Sequence, residues 1–197
     1  MNTPPQHAIK PAALPVVLVL ASGRGTRFAA SGGQVPKLQA LLAGRPVLDW
    51  TLAAVRASGL PWHLEAGAHA GMGDSIAAAV RATASAPGWL VLPGDLPLLR
   101  PDTLRALAGA PPALDVVVPV VNGQRGHPVR FSARCAAELM RLQGPEGAAA
   151  VARAHGPALW PVDDPGCTFD IDTVQDLQRA EQWLAAAAGR QALARGG

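Results

Sequence analysis

Pro15-Val16-Val17-Leu18-Val19-Leu20-Ala21-Ser22-Gly23-Arg24-Gly25-Thr26-Arg27 is the stretch whose reading decides the fold. Pro15–Leu20 is apolar at every position rather than at alternate ones. A short valine-rich run of that kind reads as a strand buried on both faces, as in a parallel sheet. It passes directly into a loop of small residues and cations, from Ser22 to about Lys37. Small residues let backbone N–H groups approach a phosphate closely. Arg24, Arg27 and Lys37, beyond the flexible Ser31-Gly32-Gly33, can neutralise it. The third glycine of a dinucleotide fingerprint is Phe28 here, and no Gly-Lys-Ser/Thr follows. Neither of the two common nucleotide loops therefore fits. Alone, the segment also reads as a solvated strand-to-helix turn.

Working outward, Pro46–Ala57 places Val47, Leu48, Leu52 and Val55 near helical spacing, with Gly59 as a stop. Pro61–Glu65 supplies one short strand. Gly73–Ala84 is a second helix, with Asp74 or Ser75 near its N-cap. Trp89–Leu92 is a buried strand closed by Pro93-Gly94, and Pro101–Ala108 a helix with proline in its first turn. Asp115–Val120 is a strand, Asn122-Gly123 a turn, and Pro128–Phe131 a returning strand. Helices are expected at Ser132–Leu142, capped by Ser132, and at Glu146–His155. Leu159–Val162 and Thr168–Ile171 read as short strands, and Thr173 caps a last helix to about Ala188. Strands alternate with helices, so the prediction is α/β, a mostly parallel sheet flanked by helices. The 197 residues fit one domain, 14–189, after a disordered segment 1–13 and before a frayed tail 190–197.

Ligands of such sheets bind beyond the carboxyl ends of the strands. After the middle strand comes Leu92-Pro93-Gly94-Asp95-Leu96-Pro97, an acid stiffened by two prolines. A carboxylate there suits magnesium, which takes one or two carboxylates plus phosphate oxygens; an Asx-turn is the plainer reading. Phe169-Asp170-Ile171-Asp172-Thr173 offers two more acids, on one face if the strand continues; one of them as a helix cap is the plainer reading. Gly71-Met72-Gly73-Asp74-Ser75 opens a helix and can read a base or sugar. His127, in Gly126-His127-Pro128 near Arg125 and Arg130, can contact an anionic acceptor.

Composition narrows the classes. The net charge is +3 and aromatics are 4% of residues, with no tyrosine. No basic stripe or aromatic platform for nucleic acid results. Ala12–Ala21, broken by Pro15, is too short to span a membrane. Cys135 and Cys167 are far apart and outside any Cys-x-x-Cys, so free thiols in a reducing, cytoplasmic setting are expected.

Leu20–Arg27 with Lys37, Gly71–Ser75, Gly94–Pro97, Gly126–Pro128 and Asp170–Asp176, taken in order, carry a resemblance. The chain resembles the molybdenum-cofactor nucleotidyltransferases of the MobA-like NTP transferase superfamily, the nearest branch being molybdenum cofactor cytidylyltransferase. The resemblance spans roughly residues 16–184 and implies a Rossmann-like nucleotidyltransferase fold. It implies that Leu20, Ala21, Ser22, Gly23, Arg24 and Gly25, with Gly73, Asp74, Ser75 and Gly94, surround the nucleotide. It implies Arg27 and Lys37 as cationic contacts and Asp95 as the magnesium acid. Asp172, with Asp170, would complete the metal site, and His127 would face the acceptor. The implied reaction moves a nucleotidyl group, CMP in preference to GMP, from CTP or GTP to the phosphate of molybdopterin. Pyrophosphate is released, and a molybdoenzyme is the eventual partner. The sequence departs from the family between Gly59 and Gly71, where a strand and a helix are normal and only the strand fits. Two other readings stay open: transfer to a sugar phosphate or other small acceptor, and a non-catalytic carrier of the cofactor.

Overall fold

The computed structural model describes residues 14–195. The N-terminal segment 1–13 lies outside the described residues. The sheet is built from β1 (Val16–Leu20), β4 (Trp62–Glu65), β5 (Gly88–Pro93), β6 (Val116–Val121), β7 (Gln124–Arg125), β8 (Val129–Ser132) and β9 (Ala158–Pro161), while β2 (Leu41–Leu42) and β3 (Arg45–Pro46) form a separate ribbon. The strand order is β4-β1-β5-β8-β6-β7, with β9 also on β6. β4, β1 and β5 run parallel, β8 is antiparallel to both β5 and β6, and β9 is parallel to β6. The sheet is mostly parallel, as the sequence predicts, with β8 and the β7 hairpin reversed.

The pleat explains why β1 is apolar throughout. Val17 and Val19 pack on one face against Leu52 and Val55 of α2 (Val47–Ser58) and Leu104 and Leu107 of α4 (Pro101–Ala108). Leu18 and Leu20 pack on the other against Ile76 and Val80 of α3 (Met72–Ala82) and Leu139 of α5 (Ala136–Leu139). Each fully buried aliphatic side chain stabilises by about 1.5–3 kcal/mol, before entropy is counted. Gly59, at φ 73, closes α2 in the left-handed region that favours glycine.

The predicted first loop holds one short helical turn, α1 (Thr26–Ala30). Between β4 and α3 the chain runs only through residues 66–71, with a strand and no helix since Gly59, as expected.

Three local expectations are corrected. Ser132–Leu142 is not one helix: a 3-10 turn at Ala133–Cys135 precedes α5, although Ser132 does cap the turn, its hydroxyl accepting from the Arg134 amide. The α6 helix is shorter than expected, Ala149–Ala154. Thr168–Ile171 is not a strand, because Asp164 organises a turn. Its buried carboxylate accepts from the Arg100 amide at 2.9 Å, the Thr103 hydroxyl at 2.5 Å and the Gly166 amide at 3.0 Å. The chain folds into a 3-10 turn at Pro165–Thr168, then runs irregularly to α7 (Val174–Arg195), which continues past Ala188. Thr173 caps α7 as expected, its hydroxyl accepting from the Asp176 amide at 3.1 Å while Asp176 accepts from the Thr173 amide at 2.8 Å.

Candidate active site

A cavity of about 590 Å³ opens beyond the carboxyl ends of β1 and β5, a size typical of small-molecule sites. Its acidic end is assembled by one backbone bond: the Ile171 amide donates to the Asp95 carbonyl at 3.0 Å. That bond lays the irregular 170–172 segment beside the loop after β5. Lys37 Nζ then lies 2.6 Å from Asp95 Oδ2 and 3.0 Å from Asp172 Oδ1. Arg27 donates to the other oxygen of Asp172. Burial alone would lower the Lys37 ammonium, but Asp95 and Asp172 outweigh it and hold it above its ordinary value. Asp170 lines the same cavity. Lost hydration and the neighbouring Asp172 and Asp95 push its carboxyl up.

The other end of the cavity is the turn after β1. Among the described residues, the amides of Ser22, Gly23 and Arg24 donate no hydrogen bond to protein, so a ligand could accept from them without loss of internal structure. Ser22 Oγ meets Ser75 Oγ, which ties this turn to the start of α3. Arg24 and Arg125 also line the cavity.

The strand register sets the length of the site. Glu65, Leu20 and Pro93 stand abreast at the ends of β4, β1 and β5. Adjacent strands are about 4.8 Å apart, so the β4 end is roughly 10 Å from the Asp95 loop. There Glu65 accepts from the Gly67 amide at 2.9 Å and pairs with His69 Nε2 at 3.0 Å. Burial raises the Glu65 carboxyl, but hydrogen bonds from His69 and Gly67, with His63 Nε2 nearby at 3.6 Å, more than offset this and hold it below the ordinary range.

Most of the sequence-predicted residues meet here. Leu20, Ser22, Gly23 and Arg24 line the cavity, as do Arg27, Lys37, Ser75, Gly94, Asp95 and His127, and Asp170 and Asp172 close it. Four do not. Ala21 faces a smaller neighbouring hollow. Gly25 holds φ 57 ahead of α1. Gly73 is buried against the Gln143 backbone, and Asp74 turns away to accept from the Gly144 amide at 2.9 Å. The same-face argument for Asp170 and Asp172 is also corrected: no strand carries them, and the bond to Asp95 brings them in instead.

Two glycines are fixed by space. A Cβ on Gly71 would lie 2.2 Å from the Gly144 carbonyl oxygen, and one on Gly126 2.5 Å from that of Cys167. The second contact sits beside the bond from the His127 amide to the Cys167 carbonyl at 2.8 Å, which docks the His127 loop on the segment leading to Asp170. Cys135 and Cys167 are free, as expected, and both are buried.

The aspartates fit a divalent cation. Asp95 Oδ1 is buried and, among the described residues, has no hydrogen-bond partner, an oxygen that a cation would satisfy. Hard carboxylate oxygens of this kind are a magnesium-type donor set. The acids stand open around Lys37: among the described residues, the one set of three metal-type ligand atoms within 4.8 Å of one another lies elsewhere, at Asp115, Cys135 and His155. Sequence reasoning missed that cluster, and also Glu65 with His69, because no local motif joins them.

The chain is similar to known proteins over nearly its whole length. Residues 52–159 match the family described as the MobA-like NTP transferase domain. The 2-C-methyl-D-erythritol 4-phosphate cytidylyltransferase of Cereibacter sphaeroides is 33% identical over 224 residues, covering 87% of this chain and 97% of that protein. Rv0371c from Mycobacterium tuberculosis superposes with a TM-score of 0.74 at 25% identity, covering 88% of this chain and 100% of that one. Its manganese complex superposes at 0.68 and 26% identity, over 86% of this chain and 98% of that one. The molybdopterin-guanine dinucleotide biosynthesis protein A of Archaeoglobus fulgidus, at 21% identity and TM-score 0.65 over 87% of this chain and 99% of its own, shares the fold. The curated relative is thus named for a polyol phosphate, not for the molybdenum cofactor that the sequence resemblance put first. Among the described residues no helix is long and apolar enough to cross a membrane. With this cavity, these acids and this match, the chain belongs to the MobA-like NTP transferase family and is a nucleotidyltransferase.

Proposed function

We propose that the chain transfers CMP from CTP to the phosphate monoester of a small acceptor, releasing pyrophosphate, with a polyol or sugar phosphate as the first acceptor class. The observation that carries this reading is the convergence of Asp95 and Asp172 on one ammonium, Lys37, beside the undonated amides of Ser22–Arg24. The choice of CTP and of the acceptor rests on the named cytidylyltransferase relative. Molybdopterin has the same reactive group, a phosphate monoester, and is the second acceptor to assay.

The triphosphate lies on the Ser22–Arg24 amides, with Arg24, Arg27 and Lys37 spreading its charge. The base lies over the start of α3 by Ser75, whose hydroxyl meets that of Ser22. The acceptor enters past Arg125 and His127. An acceptor phosphate oxygen attacks the α-phosphorus in line. The bond from that phosphorus to the bridging oxygen breaks, and the electron pair leaves with pyrophosphate. No protein nucleophile is needed, so positioning and charge neutralisation carry the rate. Asp95 and Asp172, with Asp170 beside them, would hold magnesium or manganese, which supplies Lewis-acid neutralisation of the phosphates.

The test is pyrophosphate release with each of the four NTPs, a divalent cation, and either 2-C-methyl-D-erythritol 4-phosphate or molybdopterin. CTP-specific release that requires a phosphate-bearing acceptor supports the reading. Tight NTP binding with no release for any acceptor contradicts it and favours a carrier.

A further inference from the structure

The amino end of β6 is the opposite end of the sheet from the cavity. Asp115, just before β6, Cys135, entering α5, and His155, closing α6, place one ligand atom each within 4.8 Å of one another. Their remaining atoms are already held. Asp115 Oδ1 accepts from Ser132 Oγ at 2.7 Å and from Arg134 Nε. His155 Nε2 bonds Glu138 Oε1 at 2.8 Å. This leaves Asp115 Oδ2 and His155 Nδ1 facing each other at 3.4 Å, with the Cys135 sulfur beside them. A histidine that gives one ring N–H to a carboxylate, and a carboxylate with its second oxygen hydrogen-bonded, are the outer-shell pattern of metal sites.

We propose that Asp115, Cys135 and His155 form a metal site of the zinc class, with Glu138, Ser132 and Arg134 as its supporting shell. Sulfur, imidazole and carboxylate around one ion select zinc over magnesium or calcium. Tetrahedral zinc holds its ligand atoms about 3.3–3.8 Å apart, given bonds of roughly 2.0–2.3 Å, so small side-chain rotations close the set. Cys135 is fully buried, while the side chains of His155 and Asp115 are 19% and 28% exposed. The ion thus enters from solvent, and water takes the fourth position. Binding displaces the Cys135 thiol proton and the proton on His155 Nδ1. One dication replaces two protons, and the local charge does not change. The site would clamp β6, α5 and α6 together, a structural role independent of the reading of the cavity.

The full-length protein, freed of metal, is titrated with Co2+ as the probe. An Asp95→Asn/Asp172→Asn protein is run in parallel to remove ions held in the cavity. The expected result is a near-ultraviolet sulfur-to-cobalt band saturating at one equivalent, kept in the double variant and erased by one equivalent of Zn2+. Cys135→Ser abolishes the band, and His155→Gln weakens binding tenfold or more. Zinc raises Tm in the unaltered chain. Cobalt uptake without a sulfur band in the unaltered chain overturns the proposal, and that readout does not depend on any variant folding. A band that survives Cys135→Ser overturns it equally, since it assigns the sulfur to Cys167.

Discussion

Asp95 and Asp172, on two segments remote in the chain, share one ammonium: both carboxylates lie within 3.0 Å of Lys37 Nζ. The cation holds two like charges together that would otherwise repel, and it does so beside a turn whose amides are unspent.

Asp95→Asn keeps the shape of the side chain and removes its charge. Pyrophosphate release is expected to fall by about 10²–10³-fold or more. Tm should shift by only a few degrees, because the substitution also relieves repulsion among the cavity acids. Steady-state kinetics and thermal unfolding on one preparation check both parts.

Lys37→Met strips the ammonium and leaves Asp95 and Asp172 facing each other across a partly buried gap. Activity is expected to fall about 10²-fold, and Tm at neutral pH should fall as well. A Tm at or above that of the unaltered chain would count against the assignment.

Gly126→Ala places a methyl 2.5 Å from the Cys167 carbonyl oxygen. Neither backbone can give way cheaply, so a cost of about 1–3 kcal/mol is expected. The His127 loop should lift from the segment leading to Asp170, raising KM for the acceptor. Gly71→Ala, 2.2 Å from the Gly144 carbonyl oxygen, should cost as much stability and raise KM for the nucleotide instead.

The Glu65 carboxyl is held below its ordinary value. A depressed carboxyl contributes stability above its unfolded pKa, about 4.3, and loses it as pH falls through the folded value. Glu65→Gln should therefore flatten the acid limb of the stability curve below about pH 4.5 while lowering stability at pH 7. Urea unfolding across that range gives the answer.

Much of the fold was legible, for reasons visible in single residues. Val17 and Leu18 face opposite layers, and only a doubly buried strand is apolar at both. Pro101 and Gly59 mark helix ends because one lacks an N–H and the other tolerates positive φ. What was not legible was tertiary. Asp164 spends its carboxylate on the start of α4 and Gly166, and the turn it organises leaves the expected strand irregular. Asp74 looked like a nucleotide ligand at a helix start, yet it serves the Gly144 amide. Asp95 and Asp172 could be named from their positions after predicted strands. Their meeting depends on the Ile171 amide reaching the Asp95 carbonyl, which no local pattern encodes.

The most direct test of the central claim is a double-mutant cycle on cytidylyl transfer with Asp95→Asn, Asp172→Asn and the pair. If the two carboxylates act as one unit with Lys37, each single change nearly abolishes kcat and the double is little worse than either. Near-native turnover in either single variant, or losses that multiply in the double, would contradict the account.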